Sequence, residues 1–549
     1  MSAPTSLVTS SSRPDGVLLT DEVDALTSLR GLAPADLEVR LRADASSRRA
    51  VLTLFAVAIA WLLIGSLFGE LASFKMHWPD LLVRQGWLTF GRVRTAHLHA
   101  VNYGWATAAL IGTSLWLMPR LVHTELKGVF MAIVGASLFT LGVAIGIIAV
   151  LAGFSDGMEW LEAPRYAAGP FLVVGGGLIG LSLFRTVAAR TNDHLYVSVW
   201  YILGAFIWFP MLYIVGKWPT YTGVESAAAN WFFAHNVLGF WLTAMSVGAA
   251  YYFIPKVLGR PVYSYQLSVV GFWSLAMFYS LNGMHHVVGG PMPEWMITTS
   301  IVASVFMFIP VIATGINLHM TVVGRFGALR YSPTLRFIVI GALCYTAVSL
   351  QGSFTALREV NRVTHFTHWT VAHSHVGAYG FVSFIAFGAI YYIVPRLVGH
   401  EWPSASLIRW HFNLVLGGIA IYVLSLTWAG VAQGLALLDP QLPFQVSVLR
   451  TLPGLYGRSL GGLIMTLGHF VFAYHFWIMV RKPELSRRNR PPFHEAQPII
   501  YTAEAEAARV GKHVPSGGAA PVPTMRHADA VGAPPSQQSL QAPLEGGAA

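Results

Sequence analysis

Twelve apolar windows, each close to the roughly 20 residues needed to cross a bilayer as a helix, start near residues 50, 97, 128, 168, 196, 231, 267, 297, 334, 370, 411 and 459. A chain that enters lipid this often has few options, because every backbone N–H and C=O inside the membrane needs an internal partner. Helices satisfy that locally, so the sequence predicts an all-α, polytopic membrane protein of about twelve transmembrane helices. Composition agrees: of 549 residues 54% are hydrophobic and 11% charged, where a soluble domain carries roughly a quarter charged residues.

Lys and Arg are retained on the cytoplasmic side. Arg48 and Arg49 precede the first span, and alternate loops carry Arg120 and Lys127, Arg185 and Arg190, Lys256 and Arg260, Arg325 and Arg330, then Arg396 and Arg409. Arg481, Lys482, Arg487, Arg488 and Arg490 follow the last span. Both termini are therefore expected in the cytoplasm, with the chain in a bacterial cytoplasmic (inner) membrane. The formal charge of +10 follows from this topology and calls for the lipid bilayer, not nucleic acid, as partner. The first span is expected to persist rather than be removed as a signal peptide. Residues 1–48 and 483–549, rich in Ser, Ala, Pro and Gly, are expected to be mobile tails around a core at 49–482. No short internal repeat is evident. The single cysteine, Cys344, excludes a disulfide framework and a CxxCH haem attachment in this chain.

Histidine is costly in lipid, and a lone one is usually an interhelical hydrogen-bonding group. His99, His319, His411 and His469 are read that way. His97, His235, His373 and His375 lie near the starts of inward-running spans, whereas His285 and His286 end an outward-running one. All six thus share one depth, which structural histidines have no reason to do. His373 and His375 point about 200° apart on a helix, so they serve two centres rather than one.

The segments RVRTAHLHAVNYGW (92–105), HNVLGFWLTA (from 235), PVYSYQLSVVGFW (261–273), MHHVVGG (from 284) and VNRVTHFTHWTVAHSHVGAYG (360–380) resemble subunit I of the haem–copper oxidases. They are closest to the C family, the cbb3-type cytochrome c oxidases, and less close to the related nitric oxide reductases. The resemblance implies that His97 and His375 are axial ligands of a low-spin haem b. His373 would be the proximal ligand of a high-spin, b-type haem, and His235, His285 and His286 would hold copper. It also implies membrane-bound cytochrome c partner subunits and oxygen as substrate. Tyr279, seven residues before His286 and so expected two turns below it on one helical face, matches a tyrosine that this family links covalently to the copper ligand at the place of His235. Tyr265, Ser268 and Tyr345 resemble the family's proton path from the cytoplasm. Gln351 departs from the pattern, since both families usually carry a glutamate there; either Glu359 or water serves in its place, or the site is altered in rate or substrate. MEWLEAPRY (158–166) resembles a nitric oxide reductase segment, which makes Glu159 and Glu162 candidates for calcium. The alternatives are a nitric oxide reductase (2 NO to N2O) and, more remotely, a non-redox transporter.

Overall fold

A computed structural model describes residues 34–482, apart from 331 and 401. Among these residues it is helical, with no strand. Twelve long helices follow one another: α1 (Pro34–Lys75), α2 (90–121), α3 (Val129–Ala152), α4 (Gly169–Ala188), α5 (Val197–Gly216), α6 (Gly223–Leu258), α7 (Tyr265–Tyr279), α8 (Glu294–Val322), α9 (Pro333–Ala356), α10 (His368–Val398), α11 (Ala405–Leu438) and α12 (Phe444–Arg481). Among the described residues eleven spans are long and apolar enough to cross a membrane, α7 when taken with the turn that follows it to Val287. The exception, α2, carries Arg92, Arg94 and Arg120 near its ends. The chain is a multi-pass membrane protein. The first helix begins at Pro34, inside the segment that composition marks as tail, while residues 1–33 and 483–549 lie outside the described residues.

Local sequence sets several helix starts. Ser264, Ser332 and Ser404 accept from the backbone N–H three residues on, at 3.3, 3.0 and 3.3 Å, so one end of α7, α9 and α11 carries the same serine cap. Small residues set the tightest packing: a methyl on Gly418 of α11 would stand 2.7 Å from the Gly461 carbonyl of α12. Without a hydrophobic drive between helices in lipid, such backbone approach is what holds them together.

The centre of the bundle is α2, α6 and α10. Burial reaches 83% and 89% along the apolar stretches of α6 and α10, against 50% or less in the other spans. The three follow one plan. Each carries histidine near its start, then a π-helical turn (Ala100–Ala106, Leu238–Thr243, Val376–Ser383), then a proline with a cation after it: Pro119–Arg120, Pro255–Lys256 and Pro395–Arg396. Trp116, Tyr252 and Tyr392, each four residues before that cation, meet with ring centroids 5.8, 5.8 and 6.5 Å apart. This aromatic plug closes the end of the bundle opposite the histidines. The π turns widen each helix next to its histidine, where such turns commonly mark functional sites.

Candidate metal centre

Two groups of histidines form at one end of the bundle. His97 of α2 faces His375 of α10, with ring planes 9° apart and centroids 6.5 Å apart. Each ring is fixed through Nδ1, which donates to a backbone carbonyl: Gly65 O at 2.7 Å for His97 and Val371 O at 2.8 Å for His375. That tautomer leaves both Nε2 lone pairs for a metal. With metal–imidazole bonds of about 2 Å, facing nitrogens stand about 4 Å apart and ring centroids somewhat further, so the observed separation suits one iron between them. Tyr422 packs beside His375, its hydroxyl 3.2 Å from Nε2. Close passage of α1 is required: a methyl on Gly69 would lie 2.7 Å from His97 Nδ1.

His235, His285 and His286 form the second group. Their ligand nitrogens all lie within 4.8 Å of one another, and among the described residues no other trio of His, Cys, Asp or Glu does so. Three neutral imidazoles in an apolar surround are a donor set for copper. His285 is bonded to Ser300 Oγ through Nδ1 at 2.8 Å, and His286 stacks on Trp231 at 4.7 Å. These three histidines line a cavity of about 300 Å³ together with His373, Tyr279, Tyr345 and Trp369. His373 and His375 therefore serve opposite sides of α10. His373 lies against Trp369, rings 11° apart, and its Nδ1 is 3.4 Å from Gln351 Oε1.

The route to Tyr279 differs from the helical one. Helix α7 stops at Tyr279, and His285 and His286 ride on a separate 3₁₀ turn, Met284–Val287. The break is at Gly283, whose φ is 126° and where an added methyl would fall 2.7 Å from Trp231 O, so the position tolerates no side chain. Tyr279 thus shares no helical face with His286. Instead its ring stacks on His235, centroids 4.6 Å and planes 27° apart, and its hydroxyl donates to the His235 carbonyl at 3.2 Å. Gly239, in the π turn of α6, makes room for that ring.

Of the remaining polar residues, Ser268 is fully buried and accepts from Asn317 Nδ2 at 2.8 Å; the same amide reaches the Tyr251 hydroxyl at 3.3 Å. Asn317 and Tyr251 leave no mark in the sequence, because a lone Asn or Tyr in a span carries no pattern. Tyr345 lines the cavity with Tyr279, whereas Tyr265 is partly exposed and packs on His194 and Trp200. Glu359 does not replace a carboxylate at 351: its side chain is 87% exposed and lies 3.9 Å from Arg362. The four histidines expected to be interhelical hydrogen-bonding groups do bridge elements: His99 to Glu162, His319 to Thr346, His411 to Tyr391, and His469 to both Ser66 and Tyr379.

Glu159 and Glu162 each have a protein partner. Glu159 pairs with Arg94 at 2.7 Å and Glu162 with His99 at 2.8 Å, so a hard cation would compete with protein partners for these oxygens. The same loop is anchored by Asp156, which takes Lys217 at 2.6 Å and Arg165 at 3.3 Å. Burial pulls the Lys217 ammonium below its ordinary range, opposed by Asp156.

Residues 49–464 match the family described as Cytochrome C and Quinol oxidase polypeptide I. The chain belongs to that family. This oxidase polypeptide is 32% identical over 473 residues to the cbb3-type cytochrome c oxidase subunit CcoN1 of Stutzerimonas stutzeri, covering 83% of this chain and 97% of that protein. It is also 32% identical over 439 residues to a cytochrome c oxidase subunit 1 homolog of Agrobacterium tumefaciens, covering 76% and 80%. Similarity to a nitric oxide reductase polypeptide of Stutzerimonas stutzeri is lower, 24% over 428 residues, covering 71% and 86%. Among solved structures, a cryo-EM heme-copper terminal oxidase dimer matches with a TM-score of 0.66 at 16% identity, covering 80% of this chain and 84% of that one, which speaks to the fold.

Proposed function

We propose that this chain is the catalytic subunit of a cbb3-like terminal cytochrome c oxidase, reducing O2 to water. The observation that carries it is the cavity in which the three-histidine cluster, His373 and Tyr279 meet, with Tyr279 stacked on His235. Relatives at 32% identity named as cytochrome c oxidase subunits support the same reading.

His97 and His375 would hold a low-spin haem b, His373 a high-spin b-type haem, and His235, His285 and His286 copper. Such groups, when bound, would supply single-electron transfer at the first haem and binding and reduction of a diatomic gas at the second haem and the copper. The chain's own part is orientation and protons. The backbone carbonyls of Gly65 and Val371 fix the tautomers of His97 and His375. Trp231, Trp369 and the apolar walls of the cavity limit water. Tyr279 holds a proton at its phenol oxygen beside the reacting space, and Ser268, Asn317, Tyr251 and Tyr345 lead toward it from the far end of the bundle. With the termini in the cytoplasm of a bacterial inner membrane, as the Lys and Arg distribution favours, protons enter from the cytoplasm. Electrons arrive from membrane-bound cytochrome c subunits on the other side.

Peptide mass spectrometry of the purified protein tests this reading. A covalent link between the peptides holding His235 and Tyr279 is expected; two unlinked peptides from active, haem-loaded protein would contradict it.

A further inference from the structure

The three histidines assigned to haem iron are alike in one respect: each Nδ1 meets an uncharged oxygen. For His97 and His375 these are backbone carbonyls, which leave little choice. For His373 it is the side-chain amide of Gln351, 3.4 Å away, and a side chain can be set by sequence. The partner at Nδ1 governs how strongly the opposite nitrogen donates to a metal: a carboxylate draws the Nδ1 proton and raises ligand basicity, whereas an amide carbonyl does so weakly.

The surroundings of His373 make this contact selective. Its ring stacks on Trp369, planes 11° apart, which restricts rotation to another acceptor, while Gly352 of α9 leaves room beside it, an added methyl there standing in ordinary contact 3.5 Å from Cε1. No carboxylate substitutes among the described residues that line the cavity: Glu159 is held by Arg94 at 2.7 Å, and Glu359 stands outside it, exposed.

We propose that Gln351 is a positioning residue for His373, and that its neutral amide keeps this imidazole a weakly donating ligand, raising the reduction potential of the haem it carries relative to a carboxylate at 351. This rests on the reading that His373 is the proximal ligand of the high-spin haem. No charge is buried beside the ligand, so the site avoids the desolvation that an unpaired carboxylate would suffer here. The cost is less electron donation from the proximal side to the iron.

The test uses the full detergent-purified protein, reduced, with resonance Raman detection of the iron–histidine stretch and a reductive titration of the CO-binding haem. Gln351→Glu should move the stretch to higher frequency and lower the midpoint potential; Gln351→Leu, which removes the acceptor, should move the stretch the other way. The low-spin haem spectrum, governed by His97 and His375, should stay unchanged and reports intact folding. A stretch unmoved in both folded variants would overturn the proposal. His373→Ala separates the two levels: if that variant keeps the band, the ligand assignment itself fails, and if it loses the band while the Gln351 variants leave it in place, only the role of Gln351 fails.

Discussion

Gly239→Ala makes the geometry around Tyr279 measurable. The added methyl would lie 2.6 Å from Tyr279 Cδ1, with Cε1 and Cζ nearer still. Carbon contacts settle near 3.5 Å, so the ring must retreat by about 1 Å or more. The hydroxyl now donates to the His235 carbonyl at 3.2 Å; the same retreat takes it beyond about 3.5 Å, where a hydrogen bond is effectively lost. Overpacking of this kind costs about 1–3 kcal/mol, which a bundle of twelve helices survives. Misplacing a reacting group by about 1 Å costs on the order of 100-fold in rate. The variant should therefore retain both haem signals in its absorption spectrum while oxygen uptake with an artificial reductant falls by roughly two orders of magnitude. Tyr279→Phe, which removes the hydroxyl alone, should behave similarly. Gly239→Ala protein with native haem content and native oxygen uptake would refute the argument that the placement of this ring matters.

His97→Ala should abolish the low-spin haem signal and spare the CO-binding haem, and Gly69→Ala should weaken the same signal, since its methyl falls 2.7 Å from His97 Nδ1; absorption spectra with and without CO decide. Asp156→Asn should lower the apparent Tm in detergent, because removing one partner of a buried ion pair costs about 3–5 kcal/mol and Lys217 then keeps its charge in a site of 6% exposure without a counter-ion. That deficit should shrink as pH rises: burial already holds Lys217 below its ordinary 10.5 with Asp156 opposing, so without Asp156 the folded variant releases this proton at lower pH than the parent, and in the window between the variant's folded value and the parent's its stability climbs faster with pH. A deficit that is constant across that window would show that Lys217 does not carry the effect.

Apolar windows made the architecture legible and depth singled out the six histidines, because both follow from lipid excluding unsatisfied or unpaired polar groups; their division into two groups was legible only through the family resemblance. Tyr279 shows the limit. Its place beside the cluster was readable, but by the wrong geometry: a helical repeat assumes that α7 continues, and only the left-handed backbone at Gly283 reveals that it stops. The π turns were hidden for a related reason, since they follow from packing around α2, α6 and α10 and leave no period in the residues themselves. Glu159 and Glu162, calcium candidates by resemblance, have partners that no local spacing shows: Arg94 and His99, distant in sequence, pair with them.

Oxygen and NO consumption, recorded on electrodes side by side with one purified sample and one artificial electron donor, test the central claim most directly. Fast oxygen uptake with weak NO turnover is the predicted result. Fast NO removal with little oxygen uptake would contradict it and assign the cavity to N–N bond formation.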